Sequence, residues 1–314
     1  NIGDASLNNL LDPAILFFVF GVFAGVVRSN LEIPQSIARF LSLYLLMALG
    51  LKGGFALAQS GLTGGIAISL GTAILMAFIV PAMGYTFLKN FITKLDAAAV
   101  AAAYGSVSAV TFVAANQYLD SAGLKPGGHM AVALVIMESP AIIMAVLLSN
   151  SLRHSLPSDA KSLSAAQVAA KPPTLGKILH DSFTDGAHIL LLGSMAVGFM
   201  SGEAGKAIMQ PFAGDLFKGM LAFFLLDMGL MVARNFKDAM RASPILIGYA
   251  IAGPAVHAAI ALALCFVFGV TVGDTAILMV LAASASYIVV PAVLRYAIPE
   301  ANPSLYFGLS LGVT

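Results

Sequence analysis

Charge is scarce in this sequence. Of its 314 residues, 10% are Asp, Glu, Lys or Arg and 59% are hydrophobic, whereas soluble domains carry roughly 25% charged residues. With a mean hydropathy of +0.93, the chain reads as an integral membrane protein. Cysteine is almost missing too. Cys265 stands alone in an apolar run, which excludes an intrachain disulfide and a cysteine metal cluster. Tryptophan is absent, and that excludes nothing. The sequence has no HExxH, no GxSxG, no P-loop and no clustered His/Cys/Asp spacing, so the common enzyme chemistries have no foothold. An intramembrane protease needs two acids or a Ser–His pair at matched depth, and Asp227 has only Glu138 to face it. The net charge of +1 says nothing about partners. The chain shows no start Met and no cleavable signal pattern, and the polar stretch NIGDASLNNLLD reads as a processed or trimmed end.

What is present is a series of apolar windows. They predict ten helical spans: 13–28, 35–58, 62–88, 95–117 and 128–150, then 183–201, 211–233, 242–270, 273–297 and 302 onward. Between the fifth and sixth lies a polar, Ser/Ala/Pro-rich segment, 151–182, that reads as a solvated linker. The last window is too short for a roughly 30 Å hydrocarbon core at about 1.5 Å per residue, so the tenth helix is expected to be incomplete. Basic residues are distributed unevenly between the two sets of connections. Twelve (Arg28, Arg39, Lys89, Lys94, Arg153, Lys161, Lys171, Lys177, Arg234, Lys237, Arg241 and Arg295) fall on one side, and Lys52, Lys125, Lys206 and Lys218 on the other. This predicts a cytoplasmic linker and both termini outside.

One segment recurs. Ser106-Val107-Ser108 falls on Ser284-Ala285-Ser286 at a shift of 178, as do Asp96 on Asp274 and Tyr118 on Tyr296. LLMALGL at 45–51 matches LLDMGL at 225–230, and 13–25 resembles 187–198. The chain therefore divides into two five-helix repeats, 1–150 and 183–314. Five is odd, so the second repeat must be inverted relative to the first. The fourth helix of each repeat carries breaks. Pro291 removes a backbone donor in the second copy, and Gly105 with the hydroxyl-rich run weakens the first. Inverted repeats with discontinuous helices crossing at the midplane are a transporter architecture. Freed N–H ends suit an anion, and freed carbonyls with serine oxygens suit a small cation. A serine in a membrane helix ordinarily serves close packing. Recurrence beside helix breakers favours a site instead. A channel filter would repeat around a symmetry axis rather than by inversion.

The segments GLKGG (50–54), YGSVSAVT (104–111), MESPA (137–141), AASASYIVVPA (282–292) and IPEANPS (298–304) resemble the SbtA-type sodium-dependent bicarbonate transporters over nearly the whole chain. The resemblance implies an all-α, ten-helix protomer in a bacterial inner membrane, with a core domain moving against a gate domain. It also implies a homotrimer, Na⁺-driven bicarbonate uptake, and docking of a cytoplasmic PII-like regulator. Cyanobacterial members have Ser-Thr where this chain has Ala109-Val110-Thr111, and an Asp where it has Tyr287. The chain is accordingly similar to a broader, non-cyanobacterial branch.

These readings assign Ser106, Val107, Ser108, Ser284, Ala285 and Ser286 to an anion, and Thr111, Glu138, Tyr287 and Asn116 to Na⁺ as coupling ion, with no other cofactor. Asp227, Pro291, His257, Asn302 and Ser304 are read as structural or gating, the last two first as caps of the tenth helix. Lys52 is expected to snorkel to the outer interface. Two further hypotheses remain open. One is a Na⁺-linked carrier of another small anion, such as a short carboxylate. The other is a membrane sensor or docking platform that binds without flux.

Overall fold

A computed structural model describes residues 13–61, 63–154, 186–239 and 243–287, with 290, 294, 298, 300–302, 305, 306, 309 and 310. The linker 151–182, apart from the helical residues up to His154, lies outside the described residues, as do Pro291 and Ser304. Among the described residues there are only helices. The first five are α1 (Pro13–Val26), α2 (Gln35–Ser60), α3 (Gly64–Leu88), α4 (Lys94–Gly105) and α5 (Ala109–Ser121). Then come α6 (Met130–His154), α7 (Gly186–Met209), a π-helical turn (Gln210–Asp215), α8 (Phe217–Ala239), α9 (Pro244–Phe268) and α10 (Val272–Ala283).

Among the described residues, six stretches are long and apolar enough to cross a membrane, and α1 and α10 are shorter apolar helices. One stretch, Ile189–Arg234, has 46 residues. At about 1.5 Å per residue it is long enough for two crossings of a roughly 30 Å core. The lipid-facing character is visible in the side chains. Met200, Ile208, Ile251, Phe266, Val267 and Val272 all stand exposed, an arrangement that water would penalise and hydrocarbon does not. The protein is thus an all-helical, multi-pass membrane protein.

The helices pair crosswise along the chain. α2 packs against α7, and α1 against α8. Glycines let these backbones touch. A Cβ at Gly54 would lie 2.7 Å from the Phe199 nitrogen and 2.9 Å from the Gly198 Cα, and one at Gly50 2.8 Å from the Ser194 Cβ. At the other pair, a Cβ at Gly229 would lie 2.8 Å from the Val22 nitrogen, and one at Gly21 3.1 Å from the Leu230 nitrogen. Small residues at i and i+4 are how membrane helices approach when no hydrophobic effect drives them together. A second group forms from α3, α4 and α6, which pack on one another, and from α9 with α10.

The windows 95–117 and 273–297 are not continuous helices. α4 stops at Gly105 and α5 starts at Ala109, with Ser106 to Ser108 between them. α10 stops at Ala283, and Ser284 to Tyr287 are non-helical. Gly105 has a packing reason beyond helix propensity, because a Cβ there would run into the Pro81 ring of α3. The sixth window ends at 201, but α7 continues to Met209 through a kink at Gly202 (φ 55°, ψ −144°), a conformation open to glycine.

Candidate functional site

Each broken helix begins with the same cap. Thr93 Oγ1 accepts from the Asp96 N–H at 3.1 Å, and Thr271 Oγ1 from the Asp274 N–H at 3.5 Å. A Thr-x-x-Asp start of this kind satisfies donors that a helix cannot satisfy internally. The two aspartates then reach across the chain. Asp96 Oδ1 accepts the Asn302 N–H at 2.7 Å. Asp274 Oδ1 accepts the Gly127 N–H at 2.7 Å, and its Oδ2 accepts the Ser69 hydroxyl at 2.8 Å and meets His129 Nε2 at 2.9 Å. Each aspartate thereby ties a helix start to a distant loop position, Asp96 to Asn302 and Asp274 to Gly127 just before α6. The buried Asp274 cluster is a polar element that the sequence does not single out. Its signal was the repeated Thr-x-x-Asp, but its partners Ser69, Gly127 and His129 are scattered through the first half.

The two breaks touch. The Ser286 N–H donates to the Ala103 carbonyl at 2.8 Å, satisfying an acceptor near the end of α4. The Ser108 N–H donates to Ser284 Oγ at 3.0 Å. All four serines are buried, and their hydroxyls fall into two kinds. Ser106 Oγ donates to the Glu138 carbonyl at 3.3 Å, and Ser284 Oγ to the Leu281 carbonyl at 2.8 Å. Ser108 Oγ instead accepts from the Thr111 N–H at 3.2 Å, and Ser286 Oγ from the Val290 N–H at 3.3 Å. A hydroxyl has one proton to give. Among the described residues, the Ser108 and Ser286 protons have no protein acceptor, whereas those of Ser106 and Ser284 are committed to carbonyls. Val107 and Ala285 are buried between them. Ser108 thereby caps the N-terminus of α5, and Ser286 holds the N–H four residues after it.

The residues read as cation ligands do not share one cavity. Thr111 Oγ1 is buried without a hydrogen-bond partner. It lines a largely apolar cavity of about 540 Å³ with Leu221, Leu225, Ala276 and Met279. Asn116 Nδ2 donates to the Phe112 carbonyl at 2.8 Å, and its side chain lines a different cavity of about 580 Å³. Tyr287 is buried and donates to Met228 Sδ on α8 at 3.0 Å. Glu138 is buried on α6, and its carbonyl receives the Ser106 hydroxyl. Asp227 is half-buried on α8, next to Met228, whose sulfur receives the Tyr287 hydroxyl. His257 is buried with its ring 6.2 Å from that of Tyr249. It lies near the Ala282 backbone but makes no hydrogen bond of normal geometry through either ring nitrogen. Lys52 places its Nζ 4.2 Å from the centroid of the Phe217 ring, a cation–π contact that keeps a charge at the edge of an apolar region.

Two discontinuous helices that meet inside a membrane protein are a feature of carriers. The Na⁺-dependent bicarbonate transporter superfamily matches the chain over residues 13–314. The chain belongs to this superfamily, which is one of membrane transporters and not an enzyme class. No curated protein matched the chain in a sequence search.

Proposed function

We propose that the protein is a Na⁺-coupled symporter that imports bicarbonate by alternating access. A core built around α3 to α6 and α9 to α10 would move, elevator-like, against a gate built from α1, α2, α7 and α8. One observation carries the reading. Ser108 and Ser286, related by the internal repeat, each keep a hydroxyl proton with no protein acceptor among the described residues, at the place where the broken helices touch. Bicarbonate is a small planar anion that can accept two such bonds while the α5 N-terminus balances its charge. Ser106, Ser284 and the intervening backbone then frame the anion rather than bind it through their hydroxyls. Thr111, Asn116, Glu138 and Tyr287 stay the residues proposed for Na⁺, but as separate positions, since Thr111 and Asn116 line different cavities, with Asp227 able to supply charge from the gate side.

The inverted repeat is supported by three crosswise relations: α1 with α8 against α7 with α2, Asp96 with Asn302 against Asp274 with Gly127, and the shared Thr-x-x-Asp caps. Coupling to Na⁺ follows from energetics. Moving one negative charge inward against an inside-negative potential costs about 2.3 kcal/mol per 100 mV. One accompanying Na⁺ cancels that charge and adds its own gradient. A bacterial inner-membrane location, external termini, a homotrimer and a PII-like regulator belong to the same proposal through the family resemblance. Uptake of labelled bicarbonate into proteoliposomes, with and without a Na⁺ gradient, tests it. Na⁺-dependent accumulation supports the proposal. Accumulation of formate or acetate, with no effect of bicarbonate, would transfer the site to a short carboxylate.

A further inference from the structure

Four lysines distant in sequence surround one cavity. Lys52, Lys125, Lys206 and Lys218 all line the cavity of about 580 Å³ between α2, α5, the loop before α6 and the π-helical turn. They are the same four cations that charge counting assigns to the outer face. Two carboxylates, Asp120 and Asp215, also line it, and Glu203 pairs with Lys206 from beside it, so the formal local balance is four minus three, or +1. Asp120 and Lys218 act electrostatically on Lys52, and Asp215 is tied to Gln210 Nε2 at 3.1 Å. Among the described residues no carboxylate stands within ion-pair distance of Lys52, Lys125 or Lys218, while Lys206 pairs with Glu203 at 3.6 Å. The cavity is therefore a concave, positively biased chamber with low-dielectric walls, which concentrates anions.

The chamber and the first helix break share α5. Phe112 and Asn116 line it and stand four and eight residues after Ser108, on the same face of α5. The Phe112 N–H bonds back to the Ser108 carbonyl at 3.0 Å. Its buried ring is thus one helical turn from the serine donors. We infer that this chamber is an outer collecting site for small monovalent anions, from which they pass along α5 to the Ser108–Ser286 crossing. The inference rests on the transport reading for its physiological cargo but not for its affinity for anions.

The test separates the two. Gln59 lines the chamber and is exposed, and the native thiol, Cys265, is buried. A Gln59→Cys protein in right-side-out vesicles is treated with impermeant thiol reagents, one carrying a sulfonate and one a quaternary ammonium. Their rates are normalised to those with free thiol. The anionic reagent should react about 3–10-fold faster at low salt, with the preference shrinking as salt screens the chamber. Adding Lys125→Gln and Lys218→Gln should abolish the preference. The same two lysine changes without the cysteine should raise the KM for bicarbonate uptake about 3–10-fold and leave the saturated rate within about twofold. Equal reagent rates, or reaction only from the inner side, overturn the collecting site. An unmoved KM overturns its role in entry even if the reagents discriminate. If the wild type takes up no bicarbonate, the transport reading fails. In that case a persisting reagent preference still supports an anion chamber, and equal rates reject it.

Discussion

Replacing Asp274 by alanine should cost far more stability than replacing Asp96, although both residues hold the same place in a repeated cap. The Asp274 side chain is 4% exposed and receives Gly127 N–H, the Ser69 hydroxyl and His129 at 2.7, 2.8 and 2.9 Å. Alanine strands the buried Ser69 and His129 and leaves the half-buried Gly127 N–H without its partner. Each unsatisfied buried donor costs about 1–3 kcal/mol, and partial relaxation brings the sum to roughly 3–5 kcal/mol. Asp96 bonds Asn302 N–H and the Thr93 hydroxyl, both at 2.7 Å, but in an exposed setting. Water replaces it there, so its loss should cost only about 1 kcal/mol. At roughly 2 °C per kcal/mol for a chain of this size, Asp274→Ala should lower Tm by about 6–10 °C and Asp96→Ala by about 2 °C. Cys265 supplies the assay. It is the single thiol in the sequence, is buried, and lies on α9, against which α10 packs. A dye that fluoresces on thiol reaction therefore reports unfolding at the Asp274 helix. Equal shifts for the two variants would refute the asymmetry. So would an Asp274→Ala shift under about 2 °C.

Two other expectations concern packing and ion coupling. Gly54→Leu should force α2 from α7, because the atoms it meets are backbone. The yield of folded protein measured by gel filtration should fall several-fold. Gly71→Leu, with open space around it, should leave that yield unchanged. Thr111→Val removes a buried hydroxyl without a partner, so Tm should hold or rise, by up to about 2 °C. The Na⁺ concentration for half-maximal uptake should rise about 3–10-fold if the hydroxyl serves the ion, a loss of about 0.7–1.4 kcal/mol. An unchanged Na⁺ dependence would remove Thr111 from the ion site.

Much of the architecture was legible in the sequence because hydropathy follows length so strictly in a bilayer. α3 and α9 begin and end within two residues of their apolar windows. The break at 106–108 was legible because glycine and clustered hydroxyls cannot sustain a helix there. The extension of α7 was not, since SGEAGK interrupts the apolar window while the backbone continues through Gly202 into the π-helical turn. The geometry of the four serines was half legible. Recurrence pointed to all four serines, but only geometry separates those that give protons to carbonyls from those that keep them. The lysine chamber was invisible as a chamber. Charge counting placed its four cations on one side, yet nothing in their spacing says that α2, the loop before α6, α7 and α8 converge there. Asp274 was visible only as a mark of the repeat, because a capping aspartate looks the same in sequence whether its second oxygen meets water or His129.

The measurement closest to the central claim compares wild type with the Ser108→Ala/Ser286→Ala double variant. Initial Na⁺-driven uptake of labelled bicarbonate into proteoliposomes would be read beside Tm from Cys265. The account predicts that uptake falls at least about 100-fold while Tm drops by no more than about 4 °C, since each change removes one acceptor of a backbone N–H worth about 1 kcal/mol. Uptake within about threefold of wild type would contradict it, because the anion would then be held somewhere other than at the meeting of the two broken helices.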